Sequence, residues 1–210
     1  MGWIVGALAA AALAAGAVLR LVKNLWPAAI PAWATVLIDN PLRWWLEPPA
    51  AVVKAAALAA GMRVLEVGPG YGTYTVPLAR ALGATGTLDA VDLQPKVVRN
   101  LDRRLKRAAV ANVVTHVAPA YKLPFASQVF DRAAMVGVLG EIPDRGRALR
   151  EVARVLRDDG FIVVGEFFVD PDYRTPGAVR RYAAAAGCEV ADVFRAPLSY
   201  VAVLKKRTAP

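Results

Sequence analysis

Residues 65–73 read LEVGPGYGT: a hydrophobic run ends at the carboxylate of Glu66 and gives way to glycines at 68, 70 and 72. Where a strand turns into a helix, such glycines let the backbone approach a ligand closely and offer it amide donors. A dinucleotide fingerprint would want glycine or alanine three positions after Gly70, and that position holds Thr73. A carboxylate just before the loop repels a pyrophosphate. It suits a ligand bearing an ammonium and a sulfonium, as S-adenosylmethionine does. Asp92 follows 24 residues after Gly68, at the end of the next apolar run, where a carboxylate can accept both ribose hydroxyls. Loop, preceding acid and strand-end acid in one unit point to a methyl-transfer cofactor more strongly than the glycines alone.

Methyl transfer is an in-line displacement with dispersed charge, so positioning and exclusion of water can supply much of the rate. A base is needed only when the acceptor arrives protonated. His116, the only histidine, lies inside an apolar strand pattern and reads as a core residue. Glu141, after the fourth strand, is the better candidate base, with structural capping as the alternative. Glu166, Asp170 and Tyr173, in the stretch EFFVDPDY, are candidates for lining an acceptor pocket or for stabilising its loop. The catalytic candidates are therefore Glu141 and Tyr173. Cys188 is single, which fits a reducing compartment and an inert thiol, and no metal-ligating cluster is expected.

The elements that must hold these residues alternate in type. Periodicity predicts a helix over 48–60 and strands over 63–67, 87–91, 113–117, 132–138 and 161–167. Helices are expected after the glycines and over 95–109, 144–156 and 176–186. Strand and helix in alternation imply a parallel sheet covered on both faces. The end differs: 189–195 and 200–205 flank a proline-containing turn and read as a hairpin.

From about Glu47 to Arg207 the chain resembles the class I S-adenosylmethionine-dependent methyltransferases, in particular methyltransferase type 11-like enzymes of phospholipids and quinones. VLEVGPGYGT resembles the family's first motif and AVDLQPKVV its ribose-binding motif. LPFASQVFDRAAMVGVLGEIPD resembles the fourth-strand region, and ALREVARVLRDDGFIVVGEF the following helix and fifth strand. The resemblance implies an α/β fold, a doubly wound, mostly parallel seven-stranded sheet with the last strand antiparallel. It also implies S-adenosyl-L-methionine as cofactor, held by Glu66, Gly68, Gly70, Gly72, Thr73, Asp92, Leu93, Ala120, Tyr121 and Val136. Glu66 and the glycines would face the methionine part, Asp92 the ribose and Leu93 one face of the adenine. Two departures stand out. Ala118-Pro119-Ala120 replaces an acidic residue that often holds the adenine amino group, leaving backbone groups near Ala120 and Tyr121. Gly140 stands where many relatives carry histidine before Glu141, so a histidine base there is excluded.

The front of the chain has a different texture. Gly2 to Leu19 is uncharged, and such a helix would reach roughly 27 Å, close to a bilayer's hydrocarbon core. Arg20 and Lys23 follow it and no basic residue precedes it, so the expected arrangement is a single-pass anchor with the catalytic domain cytoplasmic. All five tryptophans fall within the first 45 residues, and Leu25 to Ile38 is uncharged but broken by Pro27 and Pro31. The expected organisation is an anchor helix over 1–24, an interfacial Trp/Pro-rich segment over 25–46 and a methyltransferase domain over 47–210. For the middle segment, an arm packed on the domain is the alternative.

Of the 26 basic and 17 acidic residues, 22 and 15 lie after position 60. Basic side chains crowd two predicted helices, one with Lys96, Arg99, Arg103, Arg104, Lys106 and Arg107, the other with Arg147, Arg150, Arg154 and Arg157. Solvated faces are the plain reading and anionic lipid headgroups the next. Nucleic acid ranks last, because no aromatic side chains interleave with these charges to stack on bases. The expected partners are membrane lipids and a lipophilic or lipid methyl acceptor, with a homodimer left open. The acceptor is expected to be a phospholipid amine, with quinone or other lipophilic small-molecule methylation as the alternative. A tethered inactive binding module and a membrane-held RNA methyltransferase are further alternatives.

Overall fold

The computed structural model describes residues 48–207, together with Leu21, Leu25, residues 28–33, Thr35 and Trp44. The chain runs α1 (Pro49–Ala56), β1 (Arg63–Val67), α2 (Thr75–Ala81), β2 (Thr87–Asp92), α3 (Pro95–Arg107), β3 (Val113–Val117) and β4 (Phe130–Val136). It continues through α4 (Arg145–Val155), β5 (Leu156–Phe167), α5 (Pro176–Ala185), β6 (Cys188–Arg195) and β7 (Ser199–Lys206). The seven strands form one sheet in the order β3-β2-β1-β4-β5-β7-β6. The first five are parallel, and β7 runs antiparallel to both β5 and β6, which is the expected topology with its closing hairpin.

Strand parity decides what each face of the sheet meets. Leu65 and Val67 join a cluster that includes Leu149 and Val152 of α4 and Val179 of α5. Val64 joins Val52 of α1 and Leu78 and Ala79 of α2 on the other face. Glu66 has the parity of Val64, so its carboxylate is buried on the α1/α2 side. α3 completes that layer, sending Leu101 and Leu105 against Val76 and Ala90. Helix starts follow local chemistry. Asp144 accepts a hydrogen bond from Arg147 N–H at 2.9 Å, Thr175 accepts one from Ala178 N–H at 3.2 Å, and α1, α3 and α5 each begin with proline.

Among the described residues no helix is long and apolar enough to cross a membrane. The expected span over 2–19 and much of the 25–46 segment lie outside those residues. Of the described part of that segment, Ala32 is buried and residues 28–30 and Thr35 border the cleft described below, whereas Leu25, Trp33 and Trp44 are exposed.

Candidate functional site

From β1 the chain moves outward to β2 and from β4 outward to β5 on the other side, and the crevice at such a switch point is where an open α/β sheet binds ligands. A cleft of about 320 Å³ opens there, a size suited to a small-molecule cofactor. Its walls come from the segments that follow β1, β2, β3, β4 and β5, and from residues 28–30 and Thr35.

The glycine loop forms the floor, and its three glycines do different work. Gly68 has φ +72°, and a Cβ there would lie 2.4 Å from Val138 Cγ2, so the loop and the segment after β4 meet at that point. Gly70 has φ +54° and open space above it, the nearest atom being Thr35 Cβ at 3.9 Å. Gly72 does not line the cleft. A Cβ there would meet Leu101 of α3 at 2.7 Å, so this glycine serves the packing of the loop on α3. Thr73 and Tyr71 line the cleft, and Tyr71 carries the Arg104 guanidinium 4.7 Å above its ring.

Glu66 sits beneath this floor rather than in the wall. Burial pushes its carboxyl from the usual 4.5 up to about 7, opposed in part by the Thr75 hydroxyl. Its Oε2 is buried with no hydrogen-bond partner among the described residues. A buried carboxylate oxygen of this kind, directly under backbone that faces the cleft, fits a ligand that brings positive charge. Asp92 fits the ribose position. It is half-buried at the end of β2, and its Oδ1 accepts from Gln94 N–H at 2.8 Å. Desolvation raises its pKa, against hydrogen bonds from the Gln94 and Leu93 backbone that lower it. Leu93, Ala120, Tyr121 and Val136 all line the cleft, as do Ala118 and Pro119. The side chains present thus fit S-adenosylmethionine. Glu66 and the loop would provide for its charged end, Asp92 for its ribose and the Leu93–Tyr121 side for its base.

Of the remaining candidates, the cleft gathers Glu141 and Asp170 but not Tyr173, Glu166 or His116. Tyr173 packs edge-on between the rings of Phe168 and Tyr200, in the core behind the cleft. Glu166 is buried and accepts a hydrogen bond from Arg174 N–H at 2.8 Å, bracing the loop after β5. His116 pairs with Asp89 through Nε2 at 2.7 Å, on an edge strand away from the cleft. Cys188 is buried, and desolvation raises its thiol pKa, in keeping with an unreactive side chain.

The absence of a histidine at position 140 has a steric basis. A Cβ on Gly140 would lie 1.9 Å from the Asp172 carbonyl oxygen, so the loop after β5 packs directly on this backbone. The Gly140 carbonyl is in turn held by Arg145 at 2.9 Å and Arg174 at 3.1 Å. Together these contacts fix the turn that carries Glu141.

Contributors not singled out from sequence include Gln94 and the backbone of residues 28–30. Gln94 Nε2 donates to the Ile30 carbonyl at 2.8 Å, and Ile30 N–H donates to Glu141 Oε2 at 2.8 Å. Only the proline-punctuated apolar texture of the segment pointed to packing on the domain.

Comparison with known proteins agrees with this geometry. A family described as a methyltransferase domain matches residues 65–164. The ubiquinone/menaquinone biosynthesis C-methyltransferase UbiE of Bordetella parapertussis is 35% identical over 112 residues, 53% of this chain and 43% of that protein. The demethylmenaquinone methyltransferase of Staphylococcus aureus is 32% identical over 112 residues, 53% of this chain and 46% of that protein. The chain thus spans less than half the length of these relatives. Among solved structures, a SAM-dependent methyltransferase from Aquifex aeolicus superposes with a TM-score of 0.79 at 22% identity, covering 84% of this chain and 98% of its own. The cyclase SpnF also shares the fold, with a TM-score of 0.62 at 22% identity over 70% of this chain and 57% of its own, so the fold alone does not fix the chemistry. Sequence match and cleft geometry agree: residues 65–164 match a methyltransferase domain, and the residues of the cleft fit S-adenosylmethionine, the cofactor that this match implies.

Proposed function

We propose that the protein transfers a methyl group from S-adenosylmethionine to a lipophilic ring of the isoprenoid-quinone type presented by a membrane. The observation that supports this reading is the apolar share of the cleft's lining. Ala28, Ala29, Ile30, Val138, Ile142 and Pro143 form an apolar surface suited to a flat, oily acceptor. The names of the quinone-methylating relatives support the same substrate class. The bound cofactor supplies an electrophilic methyl group. The chain's own residues then orient the acceptor against it and keep water away, which is where most of the rate would come from. The uncharged stretch over 2–19 and the tryptophans that follow support single-pass anchoring, with the domain on the side carrying Arg20 and Lys23. A second reading, N-methylation of a phospholipid amine, is favoured by Glu141 and Asp170, two carboxylates in the cleft that suit an ammonium headgroup.

The test is to incubate the full-length protein with methyl-labelled cofactor and vesicles containing either a demethylated isoprenoid quinone or phosphatidylethanolamine. Label in the quinone supports the first reading and label in the phospholipid the second. Cofactor binding without label in either lipid removes both.

A further inference from the structure

Ile30 is tied across the cleft by both of its backbone groups, through Glu141 on one bank and Gln94 on the other. Gln94 follows β2 and Glu141 follows β4, while β1 and its glycine loop lie between them in the sheet. The chain at Ile30 therefore passes over the glycine loop, and Thr35 comes within van der Waals reach of a Cβ placed on Gly70. Gln94 is also tied downward, since its own N–H donates to Asp92 Oδ1 at 2.8 Å. One residue thus joins the ribose carboxylate to the crossing segment.

We propose that the segment around Ile30 is a strap that closes over bound S-adenosylmethionine, with Gln94 and Glu141 as its latch. Both are then positioning residues, and Glu141 serves as an acceptor for the strap rather than as a proton-transferring base. The proposal rests on the cleft being the cofactor site. The Ile30–Glu141 bond is charge-assisted and sits in a partly buried place, the setting in which such bonds are strongest. A closed strap keeps water from the reacting centre, and it must lift whenever spent cofactor leaves, so the latch sets the rate of that departure.

The experiment compares full-length wild type with Gln94→Ala, Glu141→Ala, Glu141→Gln and Ile30→Pro. S-adenosylhomocysteine is the probe. Its dissociation is followed by stopped flow, hydrogen exchange is followed over residues 28–35, and methyl turnover is measured alongside. Ile30→Pro removes the donor without touching the sheet or its helices, so it decides the matter even if a core variant folds poorly. Glu141→Ala and Ile30→Pro are expected to speed dissociation about tenfold, the scale of one hydrogen bond to a charged group. Gln94→Ala is expected to do so by a smaller factor, and exchange over 28–35 should rise in all three. Glu141→Gln keeps an acceptor oxygen, so dissociation should stay within about threefold of wild type and methyl turnover should persist. Dissociation and exchange unchanged in Ile30→Pro and Glu141→Ala would overturn the strap. Turnover abolished in Glu141→Gln with normal dissociation would return Glu141 to proton transfer. Failure of wild type to bind S-adenosylhomocysteine would overturn the cofactor reading itself.

Discussion

Glu66 carries an electrostatic cost that the fold tolerates in order to place negative charge under the glycine loop. Its folded pKa, about 7, lies above the ordinary 4.5. The cost is therefore absent below about pH 4.5, grows as pH rises toward 7 and is constant above that. Glu66→Gln should raise the unfolding free energy at pH 8 by up to about 3 kcal/mol, with the difference vanishing near pH 4. Denaturant titrations at the two pH values check this. The same substitution should weaken cofactor binding at pH 8, because an ionised Glu66 favours the cationic ligand. For the wild type, affinity should climb with pH up to about 7, and a flat profile would detach Glu66 from the site. Asp92→Ala should weaken S-adenosylmethionine by about 1 to 3 kcal/mol, the usual scale for hydrogen bonds to a charged group, as read by calorimetry. These residues were legible in sequence because their roles are local: an acid, three glycines and a strand-end acid in one βαβ unit. Ile30 and Gln94 were not. Their bond spans 64 residues and the Ile30–Glu141 bond 111, and Ile30 contributes only backbone groups, which leave no side-chain signature.

Among the elements, the turn from β1 to α2 separates conformational strain from crowding. Gly68 and Gly70 both have positive φ, but only Gly68 is crowded, with Val138 against it. Gly70→Ala should cost stability about 1 to 2 kcal/mol, the left-handed penalty alone. Gly68→Ala adds a clash of the overpacking kind, worth a further 1 to 3 kcal/mol or so. Thermal unfolding of the two variants should rank them in that order, and equal losses would mean that Val138 yields easily. Strand positions came through the hydrophobic pattern well, and the misses have physical causes. β4 was expected over 132–138, but Gly137 at φ +62° ends it while the apolar run continues into Val138 and Leu139. β5 starts at Leu156 rather than at Phe161. The intervening Arg157, Asp158, Asp159 and Gly160 look like a turn, yet Leu156 pairs with Phe130 beside a register shift in β4, so tertiary pairing outweighs their low strand propensity.

For the whole molecule, the charge excess and the tryptophan-rich front make sense together if the domain works against a bilayer, where tethering raises the effective concentration of an acceptor confined to two dimensions. The structure also divides the front of the chain by role. Residues 28–30 and Thr35 are part of the cleft wall, whereas the uncharged stretch over 2–19 lies far ahead of them in sequence. A chain lacking residues 1–20 should therefore keep its S-adenosylmethionine affinity, whereas one starting near Asn40 should hold the cofactor more loosely because it has lost the strap. The most direct test of methyl transfer to a membrane-borne acceptor supplies methyl-labelled S-adenosylmethionine and vesicles of total membrane lipid to the full-length protein and to the chain lacking residues 1–20. The account predicts label in a lipid-soluble product with the full-length protein, and at least several-fold less with the shortened chain at equal cofactor affinity. Label confined to water-soluble products, or equal lipid labelling by the two proteins, would contradict it.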